Sequence, residues 1–97
     1  MNHVLLSGVI RSTPHAKQLG DVLACSTVLD FDDHSFIQIY ALGAAARQLR
    51  QLHSGNSVRV TGRLAISPDG TLQIVATEFG LLEVVYKKIE VFAEKSA

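Results

Sequence analysis

The stretch from Ser57 to Phe79, SVRVTGRLAISPDGTLQIVATEF, constrains this chain more than any other. Val58, Val60, Gly62, Leu64 and Ile66 hold alternate positions, and Arg59, Thr61, Arg63 and Ala65 fill the places between them. A period of two puts each set on its own face of a strand, so Ser57 to Ile66 is predicted to be a strand with one apolar face. Ser67-Pro68-Asp69-Gly70 follows it. Proline presets its own φ and glycine accepts a positive one, which makes this segment a tight turn. Thr71 to about Phe79 is then predicted to pair back as a hairpin.

The rest of the chain reads mostly in the same period. His3 to Arg11 is rich in Val, Leu and Ile and is predicted to be a strand, closed by Pro14, which has no amide to donate. Ser12 to Gly20 reads as a polar connection, and Asp21 to Phe31 as a second strand. Both rows of that strand are mixed: Val22, Ala24, Ser26 and Val28 compete with Leu23, Cys25, Thr27 and Leu29 for the core. Asp32-Asp33-His34 turns the chain into a third strand, His34 to Gly43. Ile37, Ile39 and Ala41 form its core row, while the opposite row, Phe36, Gln38, Tyr40 and Leu42, carries no charge. After Gly43 the period lengthens towards four. Ala41, Ala45, Leu49 and Leu52 share one stripe of a helix expected to run about three turns and to end at His53–Asn56, with Gly55 as a left-handed cap.

The predicted order is strand, strand, strand, short helix, strand, strand. The fold class is therefore all-β with one short helix: an OB-fold, a five-stranded Greek-key β-barrel with the helix between strands 3 and 4. Gly8 and Gly62 fall inside strands, as suits a barrel whose strands bend sharply. Residues 1–80 make this domain, and residues 81–97 are read as a C-terminal extension. Leu81 to Glu94 fits either a strand or an amphipathic helix, and in either form it brings apolar surface beyond a complete barrel, which points to an oligomer contact.

Composition narrows the function. Nine basic and nine acidic residues leave a formal net charge of zero, so no global field draws the protein to nucleic acid or acidic membranes. The single Cys25 excludes an intrachain disulfide and suits a reducing compartment. No secretory signal and no membrane span is recognisable, so a cytoplasmic protein is expected. His3, His15, His34 and His53 are scattered, and Asp30, Asp32 and Asp33 with His34 lack the spacing of a calcium loop. No catalytic residue, metal site or cofactor is expected, and the chain is not read as an enzyme.

NHVLLSGVIRSTP resembles the first strand of the bacterial single-stranded DNA-binding protein family, including its PriB branch. SFIQIYALGAAARQLRQLHSGNSVRVTGRL resembles that family's third strand, helix and fourth strand, with Gly43, Leu52, Gly55 to Val58 and Val60 to Leu64 in step. The resemblance covers Asn2 to about Leu82. It implies a sequence-tolerant single-strand binder in DNA replication, recombination or repair, with bases stacked on aromatic rings and phosphates met by cations. Carried over, Phe36 stands where the family has a stacking Trp, and Tyr40 shares its row. Leu42 replaces a stacking Phe, Gln38 replaces an Arg, and Ala44 and Ser54 replace Lys. The expected nucleic-acid-binding residues are Phe36, Tyr40, Gln38, Arg11, Lys17, Arg59 and Arg63, and the lost rings and cations imply weak to moderate affinity. The chain ends FAEKSA, without the acidic tail by which the family's replication proteins recruit partners; PriB lacks that tail too. The expected partners are single-stranded DNA, with RNA as the alternative, a second copy in a homodimer or homotetramer, and replication or recombination proteins. The alternative function is an OB-fold protein–protein interaction module, primosome-like or oligomerising, with little nucleic-acid binding.

Overall fold

The computed structural model describes residues 2–81. The elements run β1 (Val4–Ile10), β2 (His15–Leu19), β3 (Val22–Asp32), β4 (Ser35–Leu42), α1 (Ala44–Arg50), β5 (Ser57–Ile66) and β6 (Leu72–Leu81). The expected oligomer contact from residue 82 onward lies outside the described residues.

Hydrogen-bonded neighbours follow the order β1-β5-β6-β4-β3-β2, and a further pairing joins β1 to β3 through Val9↔Asp30 and Ile10↔Leu29. That pairing closes β1, β5, β6, β4 and β3 into a ring. All pairs are antiparallel except β4 with β6, which run parallel from Gln38↔Gln73 to Ala41↔Ala76. With α1 between the third and fourth ring strands, this is the five-stranded barrel that the element order predicts.

Two glycines let the ring close. A Cβ on Gly8 would fall 2.9 Å from Leu29 Cγ and strike the Asp30 carbonyl oxygen, so only a bare Cα lets β1 lie against β3. A Cβ on Gly62 would fall 2.9 Å from Ala76 Cα, beside the break in register where β6 bulges against β5.

The core takes one row from each ring strand. Ile10, Cys25, Leu29, Ile39, Val58, Val60 and Ile74 are all buried. Each large aliphatic among them contributes roughly 1.5–3 kcal/mol of transfer free energy. The ambiguity of β3 resolves in favour of Leu23, Cys25, Thr27 and Leu29 as the inward row. Thr27 is the one buried polar residue of the described core, and its hydroxyl donates to the Ser12 carbonyl at 2.9 Å, tying the segment after β1 to β3. One end of the barrel is plugged by Ala45, Ala46 and Leu49 of α1, with Leu52 just beyond.

Three expectations are corrected. Ser12–Gly20 is not a plain connection, since β2 pairs with β3 from His15↔Ser26 to Leu19↔Val22. The helix has seven residues, about two turns, and its C-cap is Gln51. Gly55 does have a φ of 91°, but in the turn after the helix, where its amide donates to the Ile10 carbonyl at 2.7 Å. Finally, the apolar face of β5 is buried only as far as Gly62. Leu64, Ile66 and Leu72 are exposed because the β5–β6 hairpin runs past the end of the ring.

The hairpin turn is held by its own polar groups. Ser67 and Thr71 are joined by a main-chain bond of 2.8 Å, the Ser67 hydroxyl donates to Asp69, and the Thr71 amide donates to Asp69 Oδ1 at 3.1 Å. These donors hold the Asp69 carboxyl below its ordinary range.

Candidate nucleic-acid interface

Strand register fixes which outward side chains share a row. Arg63 lies opposite Val75, Val75 beside Tyr40, Tyr40 opposite Ser26, and Ser26 opposite His15. One outward row therefore crosses five strands as Arg63, Val75, Tyr40, Ser26 and His15. The next row is Ala65, Gln73, Gln38 and Val28, and on the other side of Tyr40 lie Leu42, Ala24 and Lys17. Cα partners in adjacent strands bring their side chains within reach of one another, so these rows form a continuous surface.

That surface is concave. A cleft of about 270 Å³ is lined by Thr13, His15, Ser26, Gln38, Tyr40 and Gln73 among others. A second depression, of about 260 Å³, lies alongside with Lys17, Leu19, Ala24 and Cys25. Tyr40, His15 and Ser26 border both, so the half-buried tyrosine ring forms the ridge between them. The lining mixes hydroxyls, amides, an imidazole and a phenol, with Lys17 on one flank and Arg63 in the tyrosine row. Neither cation forms a salt bridge among the described residues.

Phe36 sits at the far end of β4, opposite Asp30, and is 57% exposed. The Arg11 guanidinium carbon stands 4.4 Å from the centre of its ring. Asp30 holds the same guanidinium, accepting at Oδ1 from Nη2 at 2.5 Å and from Nε at 2.9 Å, with Oδ2 at 3.1 Å from Nε. This hydrogen-bonded carboxylate raises the Arg11 pKa, so the side chain stays charged. The charge is nevertheless matched locally, and one face of the ring is covered.

Of the seven expected residues, the structure brings Tyr40, Gln38, Lys17 and Arg63 to the clefts or their flanking rows, and sets Arg11 on Phe36 at one end. Arg59 belongs elsewhere. It pairs across β5 with Ser7 and Gly80 and lines a separate depression with Leu5, Thr61 and Glu78. Sequence reasoning missed His15, Ser26, Thr13 and Gln73. His15, and Thr13 just before it, are hidden because β2 has no apolar row to mark it, Ser26 because both rows of β3 are mixed, and Gln73 because the parallel register of β6 against β4 leaves no local mark. Burial pushes the Cys25 thiol pKa up, so this sulfur, on the inward row of β3, is a packing group and not a thiolate. Among the described residues no group of three His, Cys, Asp or Glu side chains gathers as a metal site, and no helix is long and apolar enough to cross a membrane.

Residues 4–91 match the OB-fold nucleic acid binding domain family designated tRNA_anti-codon. No curated protein matches the sequence. Among solved structures, the SSB domain of a Synechococcus sp. protein superposes with a TM-score of 0.76 at 19% identity, covering 81% of this chain and 93% of that one. The single-stranded DNA binding protein of Thermus aquaticus gives a TM-score of 0.77 at 19% identity; the match covers 84% of this chain and 40% of that one. The protein priB of Ralstonia solanacearum gives 0.72 at 14% identity, over 84% of this chain and 98% of that one. At such identities the likeness is one of fold. The closed ring, the helix plugging its end and a family match spanning nearly the whole sequence make this chain a member of the OB-fold nucleic acid binding domain family.

Proposed function

We propose that the chain binds single-stranded nucleic acid, DNA in the first instance and RNA as the alternative, across the outward face of β2, β3, β4, β6 and β5. The observation that carries this reading is the row joining Arg63, Val75, Tyr40, Ser26 and His15, with a cleft on either side of the tyrosine. A base stacks on Tyr40, and a second on Phe36 where its ring is open. Lys17 and Arg63 meet phosphates from opposite sides of the face, and Gln38 offers an amide between the two rings. Arg11 acts beside Phe36, and Arg59 contributes from its own side of the barrel. Because every base has a π-face, such binding is tolerant of sequence. With two rings and a few cations it is weak to moderate.

The named neighbours of this fold include single-stranded DNA binding proteins and priB, which supports the single-strand reading; a cytoplasmic role in replication, recombination or repair, in a homodimer or homotetramer, belongs to the same proposal. The test is a titration of labelled oligo-dT at two salt concentrations. Wild type binds with an affinity that falls as salt rises, and Phe36→Ala with Tyr40→Ala removes most of that affinity. Unchanged binding by the double variant refutes the stacking.

One observation favours a second reading, an OB-fold protein–protein interaction module. Leu19, Val22 and Leu42 are exposed at the Lys17 end of the same face. Self-association indifferent to salt, without oligo-dT binding, would establish that reading instead.

A further inference from the structure

The strongest local arrangement on this face is internal to the protein. Arg11, Asp30 and Phe36 come from the segment just after β1, from β3 and from β4 respectively, and they meet only because β1 closes onto β3 at Val9↔Asp30 while β3 pairs with β4 at Asp30↔Phe36. The Arg11 amide donates to the Val28 carbonyl at 2.9 Å, which fixes the root of the side chain. Its guanidinium then lies over Phe36 at 4.4 Å, held by both carboxylate oxygens of Asp30.

A guanidinium so placed does two things a nucleic-acid ligand would otherwise receive. Its plane occupies a ring face on which a base could stack, and its charge is spent on a carboxylate where it could meet a phosphodiester. A phosphate arriving at Arg11 must displace Asp30, and an exchange of one bidentate anion for another yields little net gain.

We propose that Asp30 sets the affinity of this face for single strands by latching Arg11 across Phe36, so that the pair must open before Arg11 or the covered face of Phe36 serves a ligand. Resting on the single-strand reading given above, this makes Asp30 a positioning residue that acts through Arg11 and need not touch the strand.

The proposal predicts a gain of binding from a loss of contact. Asp30→Asn, close to isosteric at an outward site, releases Arg11 for a phosphate. One added phosphate contact steepens the slope of log K against log salt by about 0.7, which amounts to about eightfold tighter oligo-dT binding at 0.05 M salt and none near 1 M. The decisive arm is the pair of backgrounds. With Arg11→Gln already present, the same Asp30→Asn substitution should change affinity less than about twofold relative to Arg11→Gln alone.

A gain that persists in the Arg11→Gln background is a plain charge effect and overturns the latch. So does the absence of any gain, or a loss of affinity on Asp30→Asn, which would mean that Asp30 aims Arg11 at the ligand. Thermal unfolding of each variant shows whether the barrel is intact; if Asp30→Asn unfolds, Asp30→Ser carries the same test. If neither wild type nor any variant binds oligo-dT at any salt, the single-strand reading falls with the latch. Binding by wild type without an Arg11-dependent gain removes the latch alone, and binding by Asp30→Asn where wild type shows none supports it.

Discussion

At one end of β4, Phe36 exposes a large ring whose neighbour is an arginine neutralised by Asp30; at the other, Tyr40 is half-buried between two clefts, with cations in its vicinity that have no salt-bridge partner among the described residues. Exposure alone would rank Phe36 as the better platform. Partnership ranks it below Tyr40, because a ring already covered on one face and a cation already paired offer a ligand less than a less exposed ring with open surroundings. The two ends share a strand, a core row and a composition, and they differ in what the neighbouring strands supply.

That contrast can be broken in several ways, and the largest effect tests what both ends stand on. Ile39 lies fully buried between Gln38 and Tyr40 in β4, opposite Thr27 and beside Ile74. Ile39→Ala should cost about 2–5 kcal/mol in urea unfolding and weaken both ends together. Next comes the comparison itself. Tyr40→Ala should cost about 1–3 kcal/mol of oligo-dT binding and Phe36→Ala less than half of the same amount; equal losses would erase the distinction. Smaller still, Lys17→Gln and Arg63→Gln should each flatten the salt slope by about 0.7, whereas Arg59→Gln, outside the row, should flatten it by less.

The smallest effect lies away from both ends, in the hairpin turn. Donors from Ser67 and Thr71 hold the folded-state pKa of Asp69 below its unfolded value, so its contribution to stability is fully present above the ordinary carboxylate range and is lost as pH falls through the folded-state pKa. Asp69→Asn should therefore lower the melting temperature slightly near neutrality, the difference from wild type should vanish in acid, and oligo-dT binding should not change. A binding defect would mean that the hairpin tip belongs to the interface.

Much of the fold can be read from the chain because β4, β5 and the turn at Pro68 declare themselves locally, by alternation and by residues with few backbone choices. β2 does not. Its outward His15, Lys17 and Leu19 are all exposed and its inward Ala16 is small, so no apolar row marks it as a strand. The site was legible in part. Phe36, Gln38 and Tyr40 fall on one face whatever the strand pairs with, but the capping of Phe36 by Arg11 depends on β1 meeting β3. Arg63 joins the Tyr40 row only through the parallel register of β6. Arg59 and Arg63 share a strand face as expected, yet Arg59 lies between Ser7 of β1 and Gly80 of β6, while Arg63 lies opposite Val75 in the Tyr40 row.

The parallel seam between β4 and β6 has a consequence for how the protein comes to exist. β3 with β4, and β5 with β6, are hairpins with tight turns that can form from local sequence, while the seam and the closure by β1 join residues far apart in the chain. Topologies ruled by such distant pairings fold on the order of milliseconds to seconds, behind their hairpins. The row from Arg63 through Val75 to Tyr40 crosses that seam. A nascent or half-assembled chain holds its arginine and its tyrosine on separate ribbons, and the surface that would grip a strand is completed only by the step that completes the barrel.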